Sequence, residues 1–177
     1  MRASAPGGRF TTDFELNAIG DGITWDNTTP VGTHAEFWTF DLVNSVKDDL
    51  YDVEPIGTGR IWLGPQTLHV IRAEWTQGIV NQNQRGFYSP DNLKFTVNID
   101  DLQDIAPELF FSRGKPKARI SDVDRYRIVW KGQVYRPTET QVEGYVDDRG
   151  TMIILKMLQV MPDEMVNDVQ FQQYAQA

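Results

Sequence analysis

Few residues in this sequence are suited to chemistry at a metal or a nucleophile. Its 177 residues include two histidines, His34 and His69, and no cysteine. Without cysteine there is no thiol nucleophile and no thiolate metal ligand. His69 lies in the alternating stretch TLHVIRAEW, where a packed or hydrogen-bonded imidazole is more common than a ligand, and His34 has no second ligand at metal spacing. We therefore predict no metal site.

Carboxylates are more plentiful, and several are concentrated in the stretch DDLYDVE (48–54). Such a cluster can hold a hard cation, contact basic residues of a partner, or remain solvated in a loop, which is the most common case. As candidates for a subunit or partner interface we take its four acids, Asp48, Asp49, Asp52 and Glu54. Another acidic stretch, NIDDLQD (98–104), lacks the glycine and the terminal glutamate of a calcium-binding loop.

Catalytic motifs are missing from the sequence. It contains neither the G-x-S-x-G of hydrolases nor the glycine-rich motifs that bind nucleotides, and GTGRIWLG (57–64) lacks the lysine of a phosphate-binding loop. A glycosidase-like carboxylate pair stays open, because sequence alone does not set the required separation of about 5 to 9.5 Å. We predict a protein that is not an enzyme, with no catalytic residue and no cofactor.

Five tryptophans, at positions 25, 38, 62, 75 and 130, are the remaining candidates for ligand contact. Indole rings stack on sugars, but core and subunit-contact roles are at least as common. An acidic carbohydrate-binding or carbohydrate-hydrolysing β protein that uses Trp62, Trp75 and Trp130 is therefore an alternative function from a different class.

Charge is unevenly distributed along the chain. The net charge of −8 argues against a free-standing nucleic-acid binder, which needs a cationic face. Eight of the seventeen basic residues nevertheless lie between positions 113 and 136, and acids follow. A basic belt with acidic flanks can stack on copies of itself or on a charged neighbour, and a solvated strand pair is the alternative.

The apolar pattern predicts a mainly β protein. Alternating or β-branched stretches lie at 60–64, 67–75, 92–99, 125–130, 133–137 and 151–160. We predict a small antiparallel β-barrel or sandwich with one or two short helices and long loops. The predicted domains are an extended N-terminal arm (1–35), a β-barrel domain (36–161) and a C-terminal tail (162–177).

Two short helices are predicted in the β-barrel domain, and a third, weakly amphipathic one in the C-terminal tail. The first is amphipathic and covers residues 40–50. The second, IDDLQDIAPELF (99–110), is capped by Asp100 or Asp101 and ended early by Pro107. The third is in the tail and places on one side Met165, Val169 and either Phe171 or Tyr174. An isolated helix this short is marginal in water, so the tail is expected to dock on something.

A long polar segment separates two of the predicted strands, at residues 76–91. Loops of this length in a compact domain are functional or mobile, and a merely disordered surface loop is the alternative. Its hinge glycines and amide side chains make it a candidate for an element directed into a channel, with Gln77, Gly78, Asn81, Gln82, Asn83, Gln84, Arg85 and Gly86.

No stretch approaches the roughly 20 apolar residues of a membrane-spanning helix. The N-terminal residues MRASAPGGRFTTDF have no apolar core of a signal peptide. We expect no membrane partner, and the missing cysteine is typical of a reducing compartment.

The order of features over residues 48–160 carries a family resemblance. It consists of DDLYDVEP, the strand TLHVIRAEW, the strand and helix of FYSPDNLKFTVNIDDLQD, and the paired hairpins of DRYRIVWKGQVYRPTETQVEGYVDDRGTMIILKMLQV. In these pieces, about two-thirds of its length, the chain resembles neck proteins of tailed bacteriophages, the head-to-tail stopper or head-completion group.

The resemblance implies a structural role in the virion. Members of this group form a homo-oligomeric ring, expected here as a hexamer or dodecamer, below the portal and adaptor proteins. The ring retains packaged DNA and offers a docking face to tail-terminator or tail proteins, and it is assembled in the bacterial host cytoplasm. An acidic channel wall repels phosphates, so DNA passes without sequence-specific binding. A tail-terminator or tail-tube-like ring protein is the alternative within the same machine.

The hairpin RYRIVWKGQVYRP (125–137) illustrates how such a barrel would be used. Alternation predicts Tyr126, Ile128 and Trp130 in the core, and the other face of the strand in solvent. Gly132 is expected to supply the positive φ of the turn, and Pro137 to lie on an edge strand. Three basic residues are then expected to meet acids of a neighbouring subunit: Arg125, Arg127 and Lys131.

Overall fold

In the computed structural model the described residues are 18, 33–41, 43–45, 60–78, 90–112, 115–116, 125–146 and 149–174. Within these ranges the protein is mainly β, with a seven-stranded antiparallel sheet that curls into a half-barrel. The predicted fold class, a mainly β protein built on a small antiparallel barrel with short helices, is confirmed.

The elements follow one another without long helices. In chain order they are β1 (Thr33–Phe40), β2 (Trp62–Val70), β3 (Arg72–Thr76), β4 (Asn92–Asn98), α1 (Ile99–Ile105), α2 (Pro107–Phe110), β5 (Phe111–Ser112), β6 (Lys115–Pro116), β7 (Tyr126–Trp130), β8 (Gln133–Val146) and β9 (Arg149–Gln159). Two 3₁₀ turns, Glu164–Asn167 and Val169–Tyr174, come last.

The two edges of the described sheet are formed by consecutive strands. The strand order is β2-β1-β7-β8-β9-β4-β3, so β2 and β3 lie at opposite edges although Ile71 alone separates them. The backbone N–H of Ile71 donates to the carbonyl of Thr96 in β4 at 2.9 Å. The segment predicted as one strand, 67–75, therefore bends at Ile71 and draws the two edges together, which curls the sheet.

The inner face of the half-barrel holds the larger core. Its period-two alternation is clearest in β4, where Leu93, Phe95 and Val97 are buried, and α1 and α2 cover the core with Leu102 and Phe110. The predicted core face of β7 is confirmed: Tyr126 and Ile128 are fully buried, and Trp130 packs edge-on against Phe95 with ring centroids 5.7 Å apart.

The outer face carries a second apolar cluster. It consists of Trp38, Trp62, Val129, Val134, Val160, Met165 and Phe171. Met165 and Phe171 belong to the residues after β9, which we call the C-terminal segment (161–174). The prediction that the tail docks is confirmed for these residues, and the surface they cover is the protein's own sheet. Val169, predicted on the apolar side, is exposed, because the segment forms 3₁₀ turns rather than an α-helix.

The helix predicted over 40–50 is wrong where the structure describes that stretch. Phe37 and Phe40 belong to β1, and residues 43–45 form a turn; positions 42 and 46–50 lie outside the described residues. The turn is held by Asp41, whose Oδ1 accepts the backbone N–H groups of Val43 and Asn44 at 2.9 and 3.0 Å. The predicted arm boundary also moves, because β1 already begins at Thr33; residues 1–32, apart from Ala18, lie outside the described part.

Strand β8 differs from its predicted form in two ways. It continues to Val146, well beyond the predicted end at residue 137, and it lies between β7 and β9 rather than at an edge. Pro137 is tolerated there because the register shifts between Pro137 and Glu139, a bulge at which the missing N–H is not needed. The turn before β8 has positive φ at Gly132, as predicted, and at Lys131 as well.

The α1 cap lies two residues before the nearer of the two predicted positions. Asn98, not Asp100 or Asp101, is the N-cap, and its side chain accepts the backbone N–H of Asp100 at 3.2 Å. Pro107 does end α1, as predicted, and it also begins α2, where its missing N–H needs no partner.

Candidate functional site

The predicted basic interface residues do not form one patch. Arg125 is exposed just before β7, and Lys131 is exposed in the turn after it, with its Nζ 4.4 Å from the centroid of the Trp130 ring. At about 3.3 Å per residue, the two ends of the strand are roughly 20 Å apart. The two cations therefore lie at opposite ends of β7 and do not form a single contact surface.

Arg127 was predicted to face solvent, and this is wrong. Its side chain is 6% exposed, its guanidinium carbon lies 4.9 Å from the centroid of the Trp62 ring, and Nη1 donates to the carbonyl of Tyr126 at 3.0 Å. The alternation along β7 was correct, but the outer face at this point is covered by the C-terminal segment instead of water. Val129, also predicted to face outward, is buried for the same reason.

Several predicted interface and channel residues have no structural description. The four acids Asp48, Asp49, Asp52 and Glu54 lie outside the described residues, as do Asn81, Gln82, Asn83, Gln84, Arg85 and Gly86. Their contacts with a neighbour or a channel stay predictions. At the start of the candidate channel loop, Gln77 is exposed and Gly78 is bonded to Asp91.

The loop between β3 and β4 has a well-defined base. The Asp91 carboxylate accepts the indole N–H of Trp75 at 3.1 Å through one oxygen and the backbone N–H of Gly78 at 2.7 Å through the other. The carbonyl of Asp91 accepts the backbone N–H of Gln159 in β9 at 2.9 Å. Trp75, Gly78 and Asp91 form what we call the loop base. One side chain thus ties the outgoing end of the loop to its returning end, and both to the sheet.

Tyr135 lies beside the loop base on the inner face. Its hydroxyl donates to the Gln133 side chain at 2.7 Å. Burial, and secondarily the negative charge of Asp91, raises the pKa of Tyr135 to about 12. The phenol therefore stays protonated near neutral pH and acts there as a hydrogen-bond donor, not as a base.

The three tryptophans proposed for a carbohydrate cleft do not line one surface. Trp62 is buried on the outer face, whereas Trp75 and Trp130 lie on the inner face. Trp130 is largely occupied by Phe95 and Lys131, which leaves Trp75, 48% exposed at the loop base, as the accessible ring of the three. This geometry contradicts the three-tryptophan cleft of the alternative function.

The two histidines are neighbours across strands. His34 in β1 is directly opposite His69 in β2, with ring centroids 5.2 Å apart in an edge-on arrangement, and His69 Nδ1 is 3.5 Å from a carboxylate oxygen of Asp101. Burial, opposed by His69, raises the pKa of Asp101. This matches the predicted packed imidazole at position 69. In the described ranges no group of three or more His, Asp or Glu side chains is arranged to hold a metal ion.

A row of charges crosses four strands on the outer face. Glu74, Lys94, Lys156 and Glu139 occupy successive paired positions on β3, β4, β9 and β8. Glu74 is 3.4 Å from Lys94, and Glu139 is 2.8 Å from Lys156. We call this the charged row. Sequence reasoning missed it, because only the strand order and register bring the four residues together.

The charged row and the loop base can support contact with another macromolecule. The row presents both signs of charge in a fixed order on partly exposed side chains, an arrangement that favours one register of a protein partner. The loop base fixes both ends of a polar loop. None of the described helices is long and apolar enough to cross a lipid bilayer. Comparison with known proteins found no family model that matches the chain and no match among curated proteins.

Proposed function

We propose that this protein is a structural component of the neck of a tailed bacteriophage. In this role its copies form a ring, a hexamer or dodecamer, below the portal and adaptor proteins. The ring retains packaged DNA in the virion and provides the face on which the tail docks. The resemblance of residues 48–160 to head-to-tail stopper proteins supports this proposal, and so does the small curled β-sheet on which the chain is built.

The loop base is the observation that carries the proposal. A plug must combine a fixed attachment with a tip that can change position. Asp91 fixes the attachment by contacts with Trp75 and Gly78, at the end of an edge hairpin of the sheet. The residues between are rich in glutamine and asparagine and carry a single charged side chain, Arg85. Such a composition can lie next to DNA without strong attraction to phosphates.

The charged row is a second support. A ring requires side-to-side contacts that select one register between copies. A row that presents both signs of charge in a fixed order, here negative, positive, positive, negative, contributes more to such selection than to affinity. Arg125 and Lys131, at the two ends of β7, are exposed cations of the predicted basic belt and can contribute to the same selection.

Mass spectrometry of purified virus particles tests the proposal and separates it from its alternative. The protein should be present in complete virions and in tailless filled heads. Its presence in isolated tails but not in heads would favour a tail-terminator or tail-tube-like role. Absence from both kinds of particle, together with a monomeric state at high concentration, would reject the proposal.

A loop-shortening variant tests the channel role. Replacing residues 80–88 with a short Gly-Ser turn removes the polar tip and keeps Trp75, Gly78 and Asp91. Ring assembly should be unchanged, while filled heads should lose DNA, measured as nuclease-accessible genome. A substitution of equal length, with Gly and Ser at the same positions, serves as the control for composition. Heads that retain their genome with the shortened loop would assign the plug to another element.

A further inference from the structure

The outer face of the sheet contains a groove that recognises one face of the C-terminal segment. The residues that enter it are spaced by three: Met165, Asp168, Phe171 and Tyr174. The first three are at most 4% exposed, and Tyr174 is half-buried. Met165 lies in the first 3₁₀ turn, Asp168 joins the two turns, and Phe171 and Tyr174 lie in the second, where three residues per turn place both rings on one side.

Phe171 is the apolar anchor of the segment. Its ring is fully buried and lies 5.3 Å from the ring centroid of Trp38 and 5.4 Å from that of Trp62. Aromatic rings at such tilted and edge-on distances attract one another beyond the area that they bury. The sheet therefore provides a shaped aromatic pocket for a single phenylalanine.

Asp168 supplies the polar specificity. Its buried carboxylate accepts the indole N–H of Trp62 at 2.9 Å and lies 3.9 Å from a guanidinium nitrogen of Arg60. Two further pairs are found along the segment, Arg136 with Glu164 at 3.0 Å and Tyr174 with Glu36 at 3.0 Å. The groove thus favours a segment in which an acidic residue is followed three positions later by an aromatic one.

The segment is held to the sheet as a self-contained unit. Its described backbone hydrogen bonds are local, for example Met165 N–H to Pro162 O at 3.1 Å and Phe171 N–H to Asp168 O at 2.9 Å. The last backbone bond to the sheet precedes it, from Val160 N–H to Val134 O at 2.8 Å. Between that bond and the first 3₁₀ turn there is a short connection that contains Pro162.

We propose that the groove also accepts the C-terminal segment of a neighbouring copy, so that exchange of this segment links the subunits. Every contact described above is the same whether the segment comes from its own chain or from an identical one. The equilibrium between the form in which each copy binds its own segment and the form in which copies exchange segments therefore depends on two factors. These are the connection at 161–163 and the local concentration of copies. The choice of an identical copy as the partner rests on the proposed ring; the groove and its ligand do not.

Cross-linking between differently tagged copies tests the exchange. The chain has no cysteine, so introduced cysteines are unique. One copy carries Arg136→Cys and the other Glu164→Cys, which replace two partly exposed partners 3.0 Å apart. The copies are co-expressed, so that exchange can occur during folding, and treated with a short bismaleimide. Exchange predicts a covalent dimer with both tags and a cross-linked peptide between positions 136 and 164.

A second pair and a control make the result decisive. Glu36→Cys with Tyr174→Cys should give the same mixed dimer. Asp104→Cys with Tyr174→Cys should give none, because Asp104 lies on α1, which packs against the inner face. Light scattering on the same samples reports self-association. Copies that associate without mixed cross-links in either pair would overturn the exchange and leave the ring proposal standing. Copies that remain monomeric, and cross-link only within one chain when both cysteines are in it, would overturn the exchange and count against the ring.

Discussion

The indole N–H of Trp62 in β2 donates a 2.9 Å hydrogen bond to the buried carboxylate of Asp168, which lies in the C-terminal segment. The bond joins two parts of the chain that are 106 residues apart in sequence. Since Arg127 packs over the same indole and Phe171 lies beside it, the pair organises the whole outer-face cluster. In the described structure the C-terminal segment is thus an integral part of the domain and not an appendage.

Substitution of Asp168 by Ala should measure this contact. It leaves a buried indole N–H without its acceptor, which typically costs about 1–3 kcal/mol. Urea denaturation should show that loss in the free energy of unfolding. Asp163→Ala is the matched control, because Asp163 is exposed in the same segment, and its effect should be within about 0.5 kcal/mol. Equal effects of the two substitutions would contradict the assignment of Asp168 as the organising residue.

Arg127 and Arg125 should behave differently when their charge is reversed. Arg127→Glu places a carboxylate in a buried, aromatic environment and should destabilise the fold by about 3–5 kcal/mol, the usual cost of a disrupted buried charge. Arg125→Glu changes an exposed residue and should leave the chain folded. Thermal unfolding followed by circular dichroism separates the two.

This difference also changes how an interface must be tested. A variant with both charges reversed loses the stability that Arg127 contributes, so its failure to assemble would not report on the role of Arg125. Arg125→Glu and Lys131→Glu are the informative single substitutions for ring formation. If Arg127→Glu proved as stable as the native chain, the burial of Arg127 under the C-terminal segment would be contradicted.

The inner face of the barrel could be predicted from the sequence, because its residues alternate with polar ones. In β4, Leu93 and Phe95 alternate with the polar residues Asn92, Lys94 and Thr96, so the period of two is visible there. In β1 the signal disappears, since Phe37 is buried on the inner face while Trp38 is buried on the outer face. A strand that is apolar on both sides has no alternation, and its hydrophobic spacing then also fits a helix.

The candidate site was less predictable, because it depends on contacts between distant parts of the chain. The prediction for Arg127 assumed that the outer face is solvated. No local pattern around Arg127 indicates that the C-terminal segment covers this face. The spacing of Met165, Asp168 and Phe171 by three is visible in the sequence, but it has meaning only for a 3₁₀ segment. Asp91 could have been noticed as a lone acid before the alternating strand β4, yet its two partners follow from the hairpin register.

Asp41 should contribute to the acid sensitivity of the fold. Hydrogen bonds from the side chain and then the backbone of Asn44 hold the pKa of Asp41 below its ordinary value of 3.8. A carboxyl with a lowered folded-state pKa stabilises the protein above its unfolded-state pKa, and this stabilisation is lost as the pH falls through the folded-state value. Asn44→Ala should therefore flatten the fall in the free energy of unfolding below about pH 4, measured by urea titration at several pH values.

The pKa of Asp101 shifts in the opposite direction to that of Asp41, so Asp101 serves as an internal control. Its pKa is raised by burial, so its contribution is fully present below the unfolded-state pKa and is lost as the pH rises through the higher folded-state value. Asp101→Asn should remove that loss, so the free energy of unfolding at neutral pH should increase relative to its value at acid pH. A steeper acid transition in Asn44→Ala, or a neutral-side loss in Asp101→Asn, would contradict the assigned directions.

Asp91→Ala should release both ends of the β3–β4 loop at once. The substitution removes the acceptor of the Trp75 indole N–H and of the Gly78 backbone N–H, so both groups become accessible to solvent exchange. Hydrogen exchange of the Gly78 amide should accelerate, and Trp75 fluorescence should shift toward that of a solvated indole. The backbone bond from Gln159 to the carbonyl of residue 91 does not depend on the side chain, so β4 should remain paired with β9.

Asn92→Ala, an exposed position in the same hairpin, is the control and should leave both signals unchanged. If Asp91→Ala left them unchanged as well, the loop would have no fixed base, and the argument for a channel-directed element would lose its structural support.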